Sequence, residues 1–120
     1  MTPPVVYVDD EPALCRAFEW VLSRAGVDVV TFCDPLLAIE FVRSKAVAVI
    51  FCDYRMPKMN ALQLLQEVDK AVPFYVVSGD LDVSRWTDNE SRVTGVIAKP
   101  FRAERMLEIA RSHLGVATEL

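Results

Sequence analysis

The fold of this chain is decided by an apolar run that ends in one carboxylate, Val47-Ala48-Val49-Ile50-Phe51-Cys52-Asp53. Continuous runs of this length, rich in Val and Ile, are typical of strands buried on both faces of a parallel sheet. Asp53 then lies at the carboxyl end of the strand, where open α/β sheets bind their ligands. Pro57 ends any continuation of the sheet a few residues later. This stretch therefore predicts a central strand that places Asp53 at a ligand-binding site.

Strand and helix patterns alternate on both sides of this run. Further strands are predicted at residues 4–8, 27–33, 73–77 and 95–98, and helices at 12–26, from Asp34-Pro35, from about Asn60, and at about 102–113. The polar segment 81–93 is predicted to be a weak helix. The alternation predicts an α/β fold with a five-stranded parallel sheet and helices on both faces. We expect one domain over residues 1–120, with 115–120 as a frayed end or the start of a linker.

The composition narrows the class of protein. The 120 residues are 52% hydrophobic and 25% charged, with a net charge of −4, as expected for a soluble globular domain. An acidic chain lacks the basic face that supplies most affinity for nucleic acid. The apolar runs are too short to cross a bilayer, and no secretory signal is visible at the start. We therefore predict a cytoplasmic protein that binds neither nucleic acid nor membrane.

The three cysteines, Cys15, Cys33 and Cys52, are odd in number and lie among apolar residues. This pattern favours buried, reduced thiols over a redox role.

Polar residues recur at the ends of the predicted strands. Asp9 and Asp10 follow the first strand, Asp53 closes the third, Ser78 follows the fourth, and Lys99 follows the fifth. Parallel strands bring these ends to one edge of the sheet. Two unit charges 4 Å apart repel by roughly 4 kcal/mol at an effective dielectric of about 20, so the three carboxylates need a neutralising partner. Oxygen ligands without His or Cys nearby favour Mg²⁺.

A carboxylate beside Mg²⁺, an ammonium and a hydroxyl is a set suited to phosphoryl transfer. Asp53 would attack phosphorus in line and form an acyl phosphate. The cation, Lys99 and Ser78 would share the charge of the phosphoryl oxygens. As single motifs, Asp9 and Asp10 are equally consistent with helix capping, and Ser78 with an ordinary turn.

Four motifs, in order and over essentially the whole chain, resemble the signatures of the receiver domain of bacterial two-component response regulators. They are Val8-Asp9-Asp10-Glu11-Pro12, Asp53-Tyr54-Arg55-Met56-Pro57-Lys58-Met59, Ser78-Gly79 and Lys99-Pro100-Phe101. The resemblance implies a flavodoxin-like, doubly wound (βα)5 fold with strand order 2-1-3-4-5.

The same resemblance implies the roles of the site residues. Asp53 would be the phosphoacceptor, and Ser78 and Lys99 would bind the phosphoryl group. Mg²⁺ would be contacted by Asp10, Asp53 and the backbone carbonyl of Arg55, with Asp9 acting through water. The Lys99–Pro100 bond is expected to be cis.

The resemblance also implies the partners. These are a sensor histidine kinase, a phosphotransfer protein or a small phosphodonor upstream, and an output domain or protein downstream. A phosphorylation-dependent homodimer is compatible with it. The signal would leave through residues 81–93, the fifth strand and the last helix. Self-phosphorylation and self-dephosphorylation are the reactions implied, with no turnover of an external substrate.

Three positions depart from the family pattern. Val96 stands where an aromatic switch residue is usual, three residues before Lys99, and predicts altered coupling to the output face. Ala61 replaces a common glycine. Arg55 and Asp80 flank the site, and an ion pair between them would shield an aspartyl phosphate from water.

Three alternatives remain beside the phosphorylated switch. Val96 keeps open a receiver-like module that binds partners without phosphorylation. A Mg²⁺-dependent phosphatase would need a second acid two residues after Asp53, where Arg55 stands. A flavodoxin-like flavin carrier would need a hydroxyl-rich phosphate loop, and Asp9-Asp10-Glu11 would repel a phosphate there.

Overall fold

A parallel sheet organises the computed structural model, which describes residues 3–79, 87 and 90–114. Within these residues, five strands pair in the order β2-β1-β3-β4-β5. They are β1 (Val5–Val8), β2 (Val29–Phe32), β3 (Val49–Asp53), β4 (Phe74–Ser78) and β5 (Gly95–Ala98). The helices described are α1 (Pro12–Arg24), α2 (Pro35–Ser44), α3 (Ala61–Val68) and α4 (Ala103–Ser112). The predicted α/β class and the order 2-1-3-4-5 are confirmed.

Strand β3 shows why the central run is apolar throughout. Val49 and Phe51 pack into the layer of α1 and α4, while Ile50 and Cys52 pack into the layer of α2 and α3. All five residues of β3 are buried. The strand begins two residues later than predicted, and it delivers Asp53 to the carboxyl edge of the sheet.

The predicted helix starts are confirmed by capping contacts. The Asp34 carboxylate accepts a hydrogen bond from the Leu36 N–H at 3.0 Å. At the start of α3, the Asn60 side chain accepts from the Gln63 N–H at 2.9 Å, and the Gln63 side chain accepts from the Asn60 N–H at 2.8 Å. These reciprocal bonds form a capping box, which fixes where the chain leaves the loop after Asp53.

The exposure of some apolar side chains does not follow from residue type alone, and one cysteine departs from the prediction. Leu36 and Leu37 are 51% and 54% exposed, because α2 packs through Ala38, Ile39 and Val42. Cys33 is exposed rather than buried, since it lies just beyond the last residue of β2.

The polar segment 81–93 is only partly described. Thr87 is helical and residues 90–93 form a turn, while the rest of the segment, including Trp86, lies outside the described residues. The proposed linker start at 115–120 also lies outside them. Among the helices that are described, none is long and apolar enough to cross a membrane.

Candidate functional site

The site is an open cavity of about 490 Å³ at the carboxyl edge of the sheet. Its position follows from the topology, because β1, β3, β4 and β5 all end at this edge. The lining residues come from the last residues of these strands and from the loops that follow them: Asp10, Glu11, Asp53, Arg55, Ser78, Gly79 and Lys99. The structure therefore brings together the residues that the sequence predicted to meet.

Three carboxylates lie side by side at this cavity, two of them lining it and Asp9 directly behind it. One oxygen from each of Asp9, Asp10 and Asp53 lies within 4.8 Å of the others. Asp9 is fully buried and Asp53 is 7% exposed, while Asp10 is exposed to solvent. Such a cluster has the hard oxygen donors and close spacing that a divalent cation requires.

Lys99 supplies the positive charge of the site. Its Nζ lies 3.0 Å from Asp53 Oδ1, 3.3 Å from Asp9 Oδ2 and 3.7 Å from Glu11 Oε1. Burial alone would lower the pKa of Lys99, but the hydrogen bond to Asp53 and the charges of Asp9 and Asp53 outweigh it and raise that pKa. Lys99 therefore remains an ammonium at neutral pH.

Asp53 is the acid whose ionisation the site perturbs. Burial raises the pKa of Asp53 to about 6, against the opposing effect of its hydrogen bond to Lys99. The charges of Asp9 and Asp10 contribute to this rise. Independently of this shift, three neighbouring carboxylates face one lysine, so the cluster carries excess negative charge that a cation would offset.

Tyr7 is a site residue that sequence reasoning missed. Its hydroxyl donates to Asp9 Oδ2 at 2.7 Å, while the Glu11 N–H donates to Asp9 Oδ1 at 3.0 Å. Asp9 is thus held by protein donors at both oxygens, and its action through water stays a prediction. The available signal was the spacing, because Tyr7 and Asp9 are two residues apart on one extended segment and point to the same side.

Ser78 is placed at the site as expected. It is 5% exposed, closes β4 and lines the cavity. The Lys99 N–H donates to the Ser78 carbonyl at 2.9 Å, so the two residues are joined through their backbones. The Lys99–Pro100 bond is cis, as the resemblance implied.

Arg55 also lines the cavity, and an isolated antiparallel bridge pairs it with Asn60. Its role as a carbonyl ligand stays a prediction. The predicted Arg55–Asp80 pair cannot be located, because Asp80 lies outside the described residues.

The two other departures from the family pattern lie on α3 and on β5. Ala61 is fully buried as the first residue of α3, and its N–H donates to the Tyr54 carbonyl at 3.0 Å. Val96 lies on β5 beside Val76 and is 38% exposed. The departure at Val96 therefore lies on the edge strand of the sheet, and Val96 is not among the residues that line the cavity.

The chain resembles known proteins over most of its length. It is 31% identical over 118 residues to a protein-glutamate methylesterase/protein-glutamine glutaminase of Xanthomonas oryzae, a match that covers 97% of this chain and 33% of that protein. It is 29% identical over 113 residues to the C4-dicarboxylate transport transcriptional regulatory protein DctD of Rhizobium meliloti, covering 91% of this chain and 25% of that one. The chain thus spans about a quarter to a third of the length of these curated relatives.

Solved structures share the fold. The response regulator TrrA of Thermotoga maritima, solved in complex with Mg²⁺ and BeF, superposes with a TM-score of 0.77 at 19% identity, covering 93% of this chain and 99% of that one. Residues 5–111 match the response regulator receiver domain family. With the strand order and the acidic edge described above, the chain belongs to the family of response regulator receiver domains.

Proposed function

We propose that this domain is a signalling switch that accepts a phosphoryl group on Asp53 in a Mg²⁺-dependent reaction. The observation that carries the proposal is the meeting of three carboxylates within 4.8 Å and an ammonium 3.0 Å from Asp53. The donor would be a sensor histidine kinase, a phosphotransfer protein or a small phosphodonor. The cytoplasm, where such donors act, is the proposed location.

The chemistry assigns a role to each residue. An Asp53 carboxylate oxygen attacks phosphorus, the bond from phosphorus to the donor nitrogen or oxygen breaks, and an acyl phosphate forms. The Lys99 ammonium and the Ser78 hydroxyl stabilise the charge of the transferred group. Hydrolysis of this acyl phosphate resets the switch. We propose no turnover of an external substrate.

The acidic cluster fits Mg²⁺. Asp10, Asp53 and the carbonyl of Arg55 would hold the ion, and Asp9 would act through water. When bound, Mg²⁺ supplies positive charge to the phosphoryl oxygens. The unequal balance of charges supports this fit, because three carboxylates lie close together and Lys99 is the cation that contacts Asp53 and Asp9 among the described residues.

The partners follow from the same assignment. The proposed output face includes β5 and α4, where a groove of about 460 Å³ is lined by Val96, Phe101, Arg102, Arg105 and others. The receiver would transmit its state to an output domain or protein there, or to a second copy of itself.

The test is phosphorylation with acetyl phosphate and Mg²⁺, followed by intact-mass measurement. We expect a gain of one phosphoryl group per chain in the parent, none in Asp53→Asn, and none without Mg²⁺. Asp28→Asn, which changes an exposed carboxylate at another edge, is the matched control and should behave as the parent. A phosphoryl gain retained in Asp53→Asn would contradict the assignment.

One observation favours a second function, a module that binds partners without phosphorylation. The aliphatic, 38% exposed Val96 offers no aromatic ring to exchange between an exposed and a buried state. Beryllofluoride with Mg²⁺ separates the two functions. Saturable spectral changes that reach β5 and α4 support the switch, and changes confined to the cavity support the constitutive module.

A further inference from the structure

Two cysteines that are 18 positions apart in sequence meet beside the acidic edge. The Cys33 Sγ lies 3.7 Å from the Cys15 Sγ, and its thiol donates to that sulfur. Cys15 belongs to α1 and is 4% exposed, while Cys33 follows β2 and is exposed. Cys52, the third cysteine, is buried in the opposite layer of the core. Only the first two are therefore placed to react with each other.

The pair is attached to the segment that carries Asp9. The Cys15 Sγ lies 3.3 Å from the Asp9 carbonyl oxygen and 3.8 Å from the Phe32 carbonyl oxygen, and its thiol can donate to either. The Asp9 N–H in turn donates to the Phe32 carbonyl at 3.0 Å. The thiols, the end of β2 and the start of the acidic motif therefore form one connected group.

We propose that Cys15 and Cys33 are a reversible oxidation site, which closes to an intramolecular disulfide on reaction with a hydroperoxide. A disulfide requires sulfurs about 2.05 Å apart, so the two atoms must approach by about 1.7 Å. Cys33 is at the surface, where its side chain can rotate toward Cys15. Disulfides in reducing compartments are usually transient and sensory, and this one would belong to that class.

The reaction has two steps. The exposed Cys33 sulfur attacks a peroxide oxygen, the O–O bond breaks, and the thiol proton leaves with the departing alcohol or water, which yields a sulfenic acid. The Cys15 sulfur then attacks the Cys33 sulfur, the S–O bond breaks, and the hydroxide leaves as water with the Cys15 proton. Two thiols lose two electrons in total, and the hydroperoxide is reduced.

Disulfide formation also removes the Cys15 thiol as a donor to the Asp9 carbonyl. This consequence rests on the proposed function. Because Asp9 belongs to the acidic cluster, we expect oxidation to weaken the binding of Mg²⁺, by about fivefold or more.

The test combines thiol counting with peptide mapping of the folded protein. Stoichiometric hydrogen peroxide should lower the number of free thiols from three to one. The mass should fall by two hydrogens, and dithiothreitol should reverse the change. Trypsin places the cysteines on different peptides, and the expected product joins residues 1–16 to 25–43. The Cys52→Ala variant, which retains Cys15 and Cys33, should still lose both of these thiols on oxidation. The Cys33→Ser variant, changed at the surface, should keep the thiols of Cys15 and Cys52.

Three results would contradict the proposed oxidation site. They are a Cys33–Cys33 dimer, addition of oxygen to Cys33 while Cys15 stays free, and no loss of thiols at all. Titration of the oxidised and reduced protein with Mg²⁺ tests the consequence separately. Equal Mg²⁺ affinity of the two forms would rule out a link between cysteine oxidation and the acidic cluster. The disulfide itself is tested by thiol counting and peptide mapping, and the phosphorylation of Asp53 by intact-mass measurement.

Discussion

Asp9 shows how a single buried charge is held in place. It is fully buried and receives donors from Tyr7, Glu11 and Lys99. A buried carboxylate is tolerated only when it is paired and hydrogen-bonded, because removal from water is otherwise costly. These three donors are therefore the reason why an acid can occupy this position, directly behind the cavity.

The Tyr7 hydroxyl is the donor that can be removed with the least change of shape. Tyr7→Phe keeps the ring, which stacks on Phe18 with a centroid distance of 4.3 Å, and removes the bond to Asp9. We expect the free energy of unfolding, measured in urea, to fall by about 1–3 kcal/mol, since hydrogen bonds to charged groups are among the stronger ones.

Tyr75→Phe is the control for this change. It removes a hydroxyl that lies 2.7 Å from His113 Nε2 in a half-buried position. Its effect should be smaller, because neither partner there is a buried carboxylate. Equal effects of the two substitutions would contradict a special role for Tyr7 at Asp9.

Asp10 is the exposed member of the acidic cluster, and its charge contributes to the raised pKa of Asp53. Asp10→Asn should weaken Mg²⁺ binding by roughly 10- to 100-fold, since it removes a proposed ligand. The metal-free protein should become slightly more stable, because one like charge is lost. Calorimetric Mg²⁺ titration and urea unfolding measure the two effects. A variant that binds Mg²⁺ as tightly as the parent would exclude Asp10 as a ligand.

At the scale of the element, the start of α3 determines the shape of the loop after Asp53. The loop is closed by the Arg55–Asn60 bridge and then by the capping box of Asn60 and Gln63. The helix packs through Ala61, Leu64, Leu65 and Val68, so its first turn is fixed by both hydrogen bonds and burial.

Asn60→Ala should lower the free energy of unfolding by about 1 kcal/mol, the usual effect of losing an N-terminal cap. Gln63→Ala removes the reciprocal bond and should have a smaller effect. Combining the two substitutions in a double-mutant cycle should give less than the sum, because each bond supports the other. Additive losses in urea unfolding would show that the two bonds act independently.

At the scale of the whole molecule, the acidic edge opposes the stability of the fold. The pKa of Asp53 is about 6 in the folded protein, against 3.8 as its ordinary value. Between these two pH values the folded state binds more protons at Asp53 than the unfolded state does. The contribution of Asp53 to the free energy of unfolding is therefore fully present below about pH 4. It is lost as the pH rises through about 6.

Asp53→Asn isolates this contribution. Without Mg²⁺, we expect the variant to be more stable than the parent by about 1–3 kcal/mol at pH 7, and the difference to shrink toward pH 4. Added Mg²⁺ should stabilise the parent and leave the variant nearly unchanged. Urea unfolding across this pH range measures both. A difference in stability that does not vary with pH would show that the ionisation of Asp53 is not its cause.

Much of the architecture followed from local pattern. The apolar run at 47–53, the helix starts at Asp34 and near Asn60, and the strand-end positions of the polar residues were sufficient to predict the α/β class and the edge that holds the site. The strand order, by contrast, was expected from the family resemblance. Local rules succeed here because strand periodicity and helix capping depend on neighbours a few residues away. In addition, parallel strands bring their carboxyl ends to the same edge of the sheet.

The sequence by itself determined which residues reach the acidic edge, because their distance from a strand end is a property of the chain. Tertiary structure alone decided that Cys33 meets Cys15, that Leu36 and Leu37 are exposed, and that the pKa of Asp53 is raised. Each of these depends on the offset of one element against another and on the water excluded between them. Such packing is settled by the whole fold at once, and no short stretch of sequence encodes it.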